Sequence, residues 1–190
     1  MRISHMLMLI MTVLTAGGAG EGTLRSLGIS RNRALFYIFC LAALDRLRPM
    51  PADGVEISPA CLALAIGLTA AAVKCEGFKA LFAVFTVALG ICAAPLASFD
   101  TEWACYAAGA LCMIPALMLT TRQALAVSCA VPILACCAAG LYTYAYGIFE
   151  LELTEYCLSA QLAGIMLSSA VIEAKRLYST PVRYSRTTDR

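Results

Sequence analysis

Long apolar runs separated by short polar breaks set the pattern of this chain. The longest extends from Gln123 to Phe149. Arg122 precedes it, Tyr142, Tyr144, Tyr146 and Phe149 crowd its far end, and Glu150, Glu152 and Glu155 stand beyond. At about 1.5 Å per helical residue, a run of this length crosses a hydrocarbon core of about 30 Å with residues to spare. Positive charge at one end, with aromatic residues and acids at the other, gives the span a direction.

The same pattern repeats along the chain. Ile57–Val73, Ala80–Ser98, Trp103–Thr121 and Tyr156–Ile172 read as further spans, with connections as short as Lys74–Lys79 and Phe99–Glu102. Short connections force antiparallel neighbours, hence a helical bundle. The first apolar segment, Ile3–Gly20, has the small-residue end of a signal peptide. Its weak positive start (Arg2) and the arginines that follow favour a retained span instead. Gly18 and Gly22 also suit close helix approach. Ala34–Leu44 holds only 11 residues, short for a crossing, although Arg31, Arg33, Arg46 and Arg48 can snorkel at its ends.

Charge decides the arrangement. If Ala34–Leu44 crosses, one side holds Arg25, Arg31, Arg33, Lys74, Lys79, Arg122, Lys175, Arg176, Arg183, Arg186 and Arg190. The other side keeps only Arg2, Arg46 and Arg48 of the 14 basic residues. The positive-inside rule then predicts seven spans, amino terminus outside and carboxyl terminus cytoplasmic. The expected fold class is all-α: a polytopic transmembrane bundle, seven spans or six plus one interfacial or re-entrant helix. Residues 1–172 form its single domain, and 173–190 a flexible basic cytoplasmic tail.

Composition agrees. Hydrophobic residues make up 61% of the chain and charged residues 14%, with a mean hydropathy of +0.80. A soluble domain carries about a quarter charged residues. The ten cysteines contain no Cys-x-x-Cys pair and His5 is the lone histidine, so zinc-type spacing is absent and no metal or other cofactor is expected. Inside apolar runs a free cysteine behaves as a small hydrophobe. Such heavy thiol use suits a reducing compartment.

One motif recurs. Cys92-Ala-Ala-Pro95, Cys112-Met-Ile-Pro115 and Cys129-Ala-Val-Pro132 place a proline in three consecutive spans. Each proline removes one helical hydrogen bond and frees the carbonyl four residues earlier, those of Ile91, Leu111 and Ser128. The candidate kink or cavity positions are therefore Pro95, Pro115, Pro132, Cys112, Cys129 and the interior amide Gln161. They suit either a gate or plain helix shaping. Small residues spaced by four on common faces (Ala63, Gly67, Ala71; Ala160, Gly164, Ser168; Cys105, Gly109) suit close packing within a bundle or between copies.

No acidic, basic or histidine residue lies centrally within a long span. Proton relays and intramembrane hydrolases place ionisable groups there, so an enzyme is not expected. Gln161, Thr69, Thr86, Ser128, Ser159, Ser168 and Ser169 are the notable interior polar groups, and such groups serve mainly as interhelical hydrogen-bonding partners. Cys136-Cys137 leaves thiol chemistry open, yet adjacent residues face different sides of a helix.

The segment Gly28-Ile-Ser-Arg-Asn-Arg33-Ala-Leu through Pro49-Met-Pro51, then Glu56-Ile-Ser-Pro59, resembles a family of small polytopic prokaryotic membrane proteins of unknown function. That resemblance implies a bacterial membrane setting and no site residues. The expected role is a non-enzymatic assembly component of the plasma membrane. A permease or channel for a small neutral solute is the alternative, through the proline-kinked spans. The expected partners are the bilayer, other membrane proteins or further copies, and anionic lipid along the basic tail at about 1 kcal/mol per basic residue; so short a tail does not suit nucleic acid. The orientation predicts that Cys75 reacts with a membrane-impermeant maleimide only once the cytoplasmic side is opened; labelling of Cys75 in intact cells contradicts it.

Overall fold

A computed structural model describes residues 2–47, 49, 55–93, 110–145, 151–153 and 155–179. Among these, the elements in chain order are α1 (Ile3–Ala16), α2 (Glu21–Leu27), α3 (Arg31–Leu44), β1 (Val55–Ile57), α4 (Pro59–Glu76), α5 (Phe78–Ala93), α6 (Met113–Met118), α7 (Thr121–Ala145), β2 (Leu151–Leu153) and α8 (Glu155–Ser179). The fold is all-helical apart from the three-residue strands. These pair in parallel, with Val55 opposite Leu151 and Ile57 opposite Leu153, and the Ser58 N–H continues the ladder to the Leu153 carbonyl at 2.9 Å.

Local chemistry sets the element ends. Pro59 occupies the first turn of α4, where its missing N–H has no helical partner to lose. The Thr120 hydroxyl accepts from the Gln123 N–H at 3.3 Å and caps α7. Between α1 and α2, Gly18 (φ 83°) and Gly20 (φ 75°) adopt left-handed backbone, which costs glycine nothing and other residues about 1–2 kcal/mol. The chain turns there, and α2 lies bent by 93° from α1. Gly22 is a close-approach glycine: a Cβ there would sit 2.8 Å from the Glu173 carboxylate oxygens of α8. Gly18 meets nothing; its use is the turn.

Helices α7 and α8 pack along one another and carry the others around them. Ala124–Cys129 of α7 and Cys157–Leu162 of α8 are each buried without interruption, so both helices are enclosed on all sides there. The outer helices are built in reverse of a soluble helix. On α5 the small residues Ala80, Val84 and Ala88 pack inward against α7, at 1%, 3% and 0% exposure, while Phe78 and Phe82 stand 81% and 75% exposed. Helix α1 likewise buries Ser4, Met8 and Thr15 and exposes Leu9 and Val13. The face Ala160, Gly164 and Ser168 is buried inside the bundle. Ala63 and Gly67 of α4 are exposed, and nothing lies within 4 Å of a Cβ placed on Gly67.

By length and composition, α4, Thr121–Ala138 of α7 and α8 can cross a membrane, with a fourth if the bent α1–α2 pair counts as one span. The expected seven spans are not supported. Helices α1 and α3 have 14 residues each, a rise of about 21 Å against about 30 Å of hydrocarbon. Helix α6 has six. Much of the expected span Trp103–Thr121 lies outside the described residues. Helix α8 continues through Ser179, so the first seven residues of the expected tail, 173–179, are helical; 180–190 lie outside the described residues.

Overpacking the inward face of α5 should be costly and trimming its outward face should not. Ala88→Leu is expected to destabilise by about 1–3 kcal/mol, and Phe82→Leu to change stability by less than about 0.5 kcal/mol. Reversible unfolding in mixed micelles followed by circular dichroism measures both.

Candidate functional site

Pro132 lies inside α7 and is fully buried, so the break it makes must be repaired without bulk water. Side chains of α8 bond carbonyls next to it. Gln161 Nε2 donates to the Cys129 carbonyl at 2.9 Å and, more weakly, to the Cys61 carbonyl at 3.4 Å. Ser168 Oγ donates to the Cys112 carbonyl at 3.1 Å and lies 2.8 Å from Ser128 Oγ, which itself reaches the Ala124 carbonyl at 2.9 Å. Two hydroxyl protons are available for these three contacts. With Ser128 donating to Ala124 and Ser168 to Cys112, both protons are used and the two hydroxyl oxygens meet without one.

This ladder joins four of the positions singled out in the sequence. Cys129 and Gln161 are hydrogen-bonded, Cys112 is tied to α8 through Ser168, and Pro132 sits within the packed interior. Pro115 is buried in α6. Pro95 lies outside the described residues. The bonded carbonyls each fall one residue beyond those that the prolines free. Ser159 Oγ and Gln161 Oε1 are buried with no hydrogen-bond partner among the described residues.

The cysteines converge in a way their spacing conceals. Cys61 of α4 and Cys157 of α8, 96 residues apart, bring their sulfurs to 3.2 Å, and Cys157 also hydrogen-bonds Cys136 of α7. Leu153 and Ala160 enclose this cluster. Cys136 is buried and its neighbour Cys137 half-buried, as their different helix faces require. Among the described residues no group of three or more His, Cys, Asp or Glu side chains is disposed to hold a metal.

The two ends of the bundle differ. At one, Asp45 is fully buried and accepts from Ser4 Oγ at 3.4 Å and Ser58 Oγ at 3.2 Å. One carboxylate thereby ties the starts of α1 and α4 to the end of α3. His5 Nδ1 lies 3.9 Å from Asp45 Oδ2, too far for a hydrogen bond. Glu155 accepts from the Ile3 N–H at 2.8 Å and pairs with Arg2 at 3.7 Å. Both serine protons point at the acid and the histidine contacts neither hydroxyl, so the group lacks the serine–base contact of a hydrolase. It fastens helix ends.

At the opposite end, a cavity of about 360 Å³ opens between α6, the start of α7 and the last turns of α8. Lys175, Arg176, Thr121 and Ser179 supply polar groups, and Ala116, Leu119 and Ile172 an apolar wall. Ala116 brings it one residue from Pro115. Sequence spacing missed this cavity, Asp45 and the Cys61–Cys157 contact, because each joins helices distant in the chain.

Comparison with protein-family models, curated proteins and solved structures finds no match. The ladder is the clearest constellation to test for its share in stability. Gln161→Leu is expected to cost about 1–2 kcal/mol, since interhelical hydrogen bonds are worth about 0.6–1.7 kcal/mol each in a bilayer setting. Denaturation in mixed micelles checks this, and an unchanged midpoint would remove the ladder from the account of stability.

Proposed function

We propose that this chain is an integral protein of a plasma membrane, without an enzymatic role, acting as a packing or assembly component of a larger membrane complex. The observation that carries the membrane setting is the reversed polarity of α5. A helix that buries Ala80 and Ala88 while leaving Phe82 and Phe78 exposed is stable where the solvent is itself apolar and small residues bring helices together. In water the same face would be a large apolar liability. Charge supports an orientation with Lys74, Lys79, Arg122, Lys175 and Arg176 at the cytoplasmic end.

The interior supports packing over transport. Cys129, Ser128, Val127 and Val131 are fully buried around Pro132, and Gln161 and Ser168 bond the neighbouring carbonyls of Cys129 and Cys112. The exposed face of α4 around Ala63 and Gly67 leaves room for another helix to approach closely.

Affinity purification from native membranes after mild crosslinking tests this reading. A reproducible stoichiometric partner, or self-association, is the expected result. A strictly solitary monomer contradicts the assembly role, and solute-specific flux in reconstituted vesicles would replace it with the permease reading.

A further inference from the structure

The cavity at the basic end holds a combination that the packing account does not use. Lys175, which lines it, donates through Nζ to the Leu117 carbonyl at 2.9 Å, and Arg122, next to its lining residue Thr121, donates through Nε to the Ser26 carbonyl at 2.8 Å. Both partners are neutral, and neither cation has a carboxylate within ion-pair distance among the described residues. Arg176 lines the same cavity and lies 3.6 Å from Glu173. Glu173 also accepts from the Thr23 N–H at 2.7 Å and its hydroxyl at 3.0 Å, so its charge is shared among several donors. The other nearby acid, Glu76, accepts from the Thr120 hydroxyl at 2.8 Å. The two cations that line the cavity, Lys175 and Arg176, therefore stand beside one carboxylate, Glu173, which already accepts hydrogen bonds from Thr23.

We propose that this cavity binds the phosphate-bearing headgroup of an anionic phospholipid. Its volume of about 360 Å³ falls in the range of small-ligand sites. Lys175 and Arg176, with the hydroxyls of Thr121 and Ser179, face a phosphodiester's requirements for charge and donors. Leu119 and Ile172 form the apolar side, and beside them Leu117 and Met118 of α6 are 59% and 83% exposed. That apolar continuation suits acyl chains and has no use for a free inorganic anion, which commits the site to a lipid. The cavity lies at the ends of α7 and α8, at headgroup depth if these helices cross the bilayer, and basic pockets between helices on the cytoplasmic side are where anionic headgroups collect. The inference rests on the membrane reading above.

Native mass spectrometry of the purified full-length chain, released from neutral detergent, is the test. The probes are phosphatidylglycerol, phosphatidylcholine with the same chains, and inorganic phosphate. One phosphatidylglycerol should be retained at least about tenfold more tightly than phosphatidylcholine, with inorganic phosphate a poor competitor. Lys175→Gln combined with Arg176→Gln should remove that preference while helicity by circular dichroism stays unchanged, and Glu76→Gln should strengthen it. Equal retention of the two lipids, or a preference that survives the double substitution, overturns the site. Effective competition by inorganic phosphate overturns the lipid as its occupant. Alkaline carbonate extraction of the same preparations separates the two readings: release from membranes defeats both, whereas retention without headgroup preference defeats this one alone.

Discussion

Enclosure of α8 is the constraint from which the rest follows. Across Cys157–Leu162 the helix touches protein in every direction, so no polar group on that stretch can turn to solvent. A buried polar group without a partner costs about 1–3 kcal/mol. The Gln161 amide N–H finds its partner on the Cys129 carbonyl and, a turn and more further on, Ser168 on that of Cys112, while Ser159 Oγ and Gln161 Oε1 have none among the described residues. The Cys129 carbonyl stands one residue beyond the one that Pro132 leaves without its helical donor, so the central helix supplies its donors next to the break in α7. Small residues make the approach close enough for this, with Ala160 and Gly164 on α8 and Ala124 and Ala126 on α7.

The ends of the bundle divide the remaining chemistry. The acid-bearing end is closed by Asp45, Ser4, Ser58 and Glu155, whose contacts are all to neighbouring helix starts. The basic end is less closed. There Glu173 holds α2 against α8, Lys175 reaches across to α6, and a cavity remains beside them. One end fastens the bundle, while the other keeps basic side chains around an open cavity.

Much of the helical framework was legible because apolar runs in this chain are long. The run opening at Gln123 became α7, the one at Tyr156 became α8, and Ile57–Val73 became α4, each displaced by a few residues. Ile3–Gly20 and Ala34–Leu44 misled the span count, since an apolar stretch reads the same whether it crosses, tilts or packs partway as the 14-residue helices α1 and α3. The glycines at 17–20 read as the small-residue end of an apolar segment, and Gly18 with Gly22 as a packing face, whereas Gly18 and Gly20 make a turn. Gln161, Cys112 and Cys129 were recognisable as polar or kink-associated residues inside apolar runs. Their partners were not, because helical period fixes which face a residue occupies and says nothing of which helix lies opposite. For the same reason the cysteines inside apolar runs read only as small hydrophobes, and nothing in the spacing paired Cys61 with Cys157 or Asp45 with Ser4 and Ser58.

The central claim is that the outward aromatic face of α5 meets lipid. The chain has a single tryptophan, Trp103, so Trp103→Phe combined with Phe82→Trp places one fluorophore on that face. In reconstituted vesicles, lipids brominated along their acyl chains should quench this tryptophan strongly and aqueous iodide should quench it little. Strong quenching by iodide with none by brominated lipid would contradict the account.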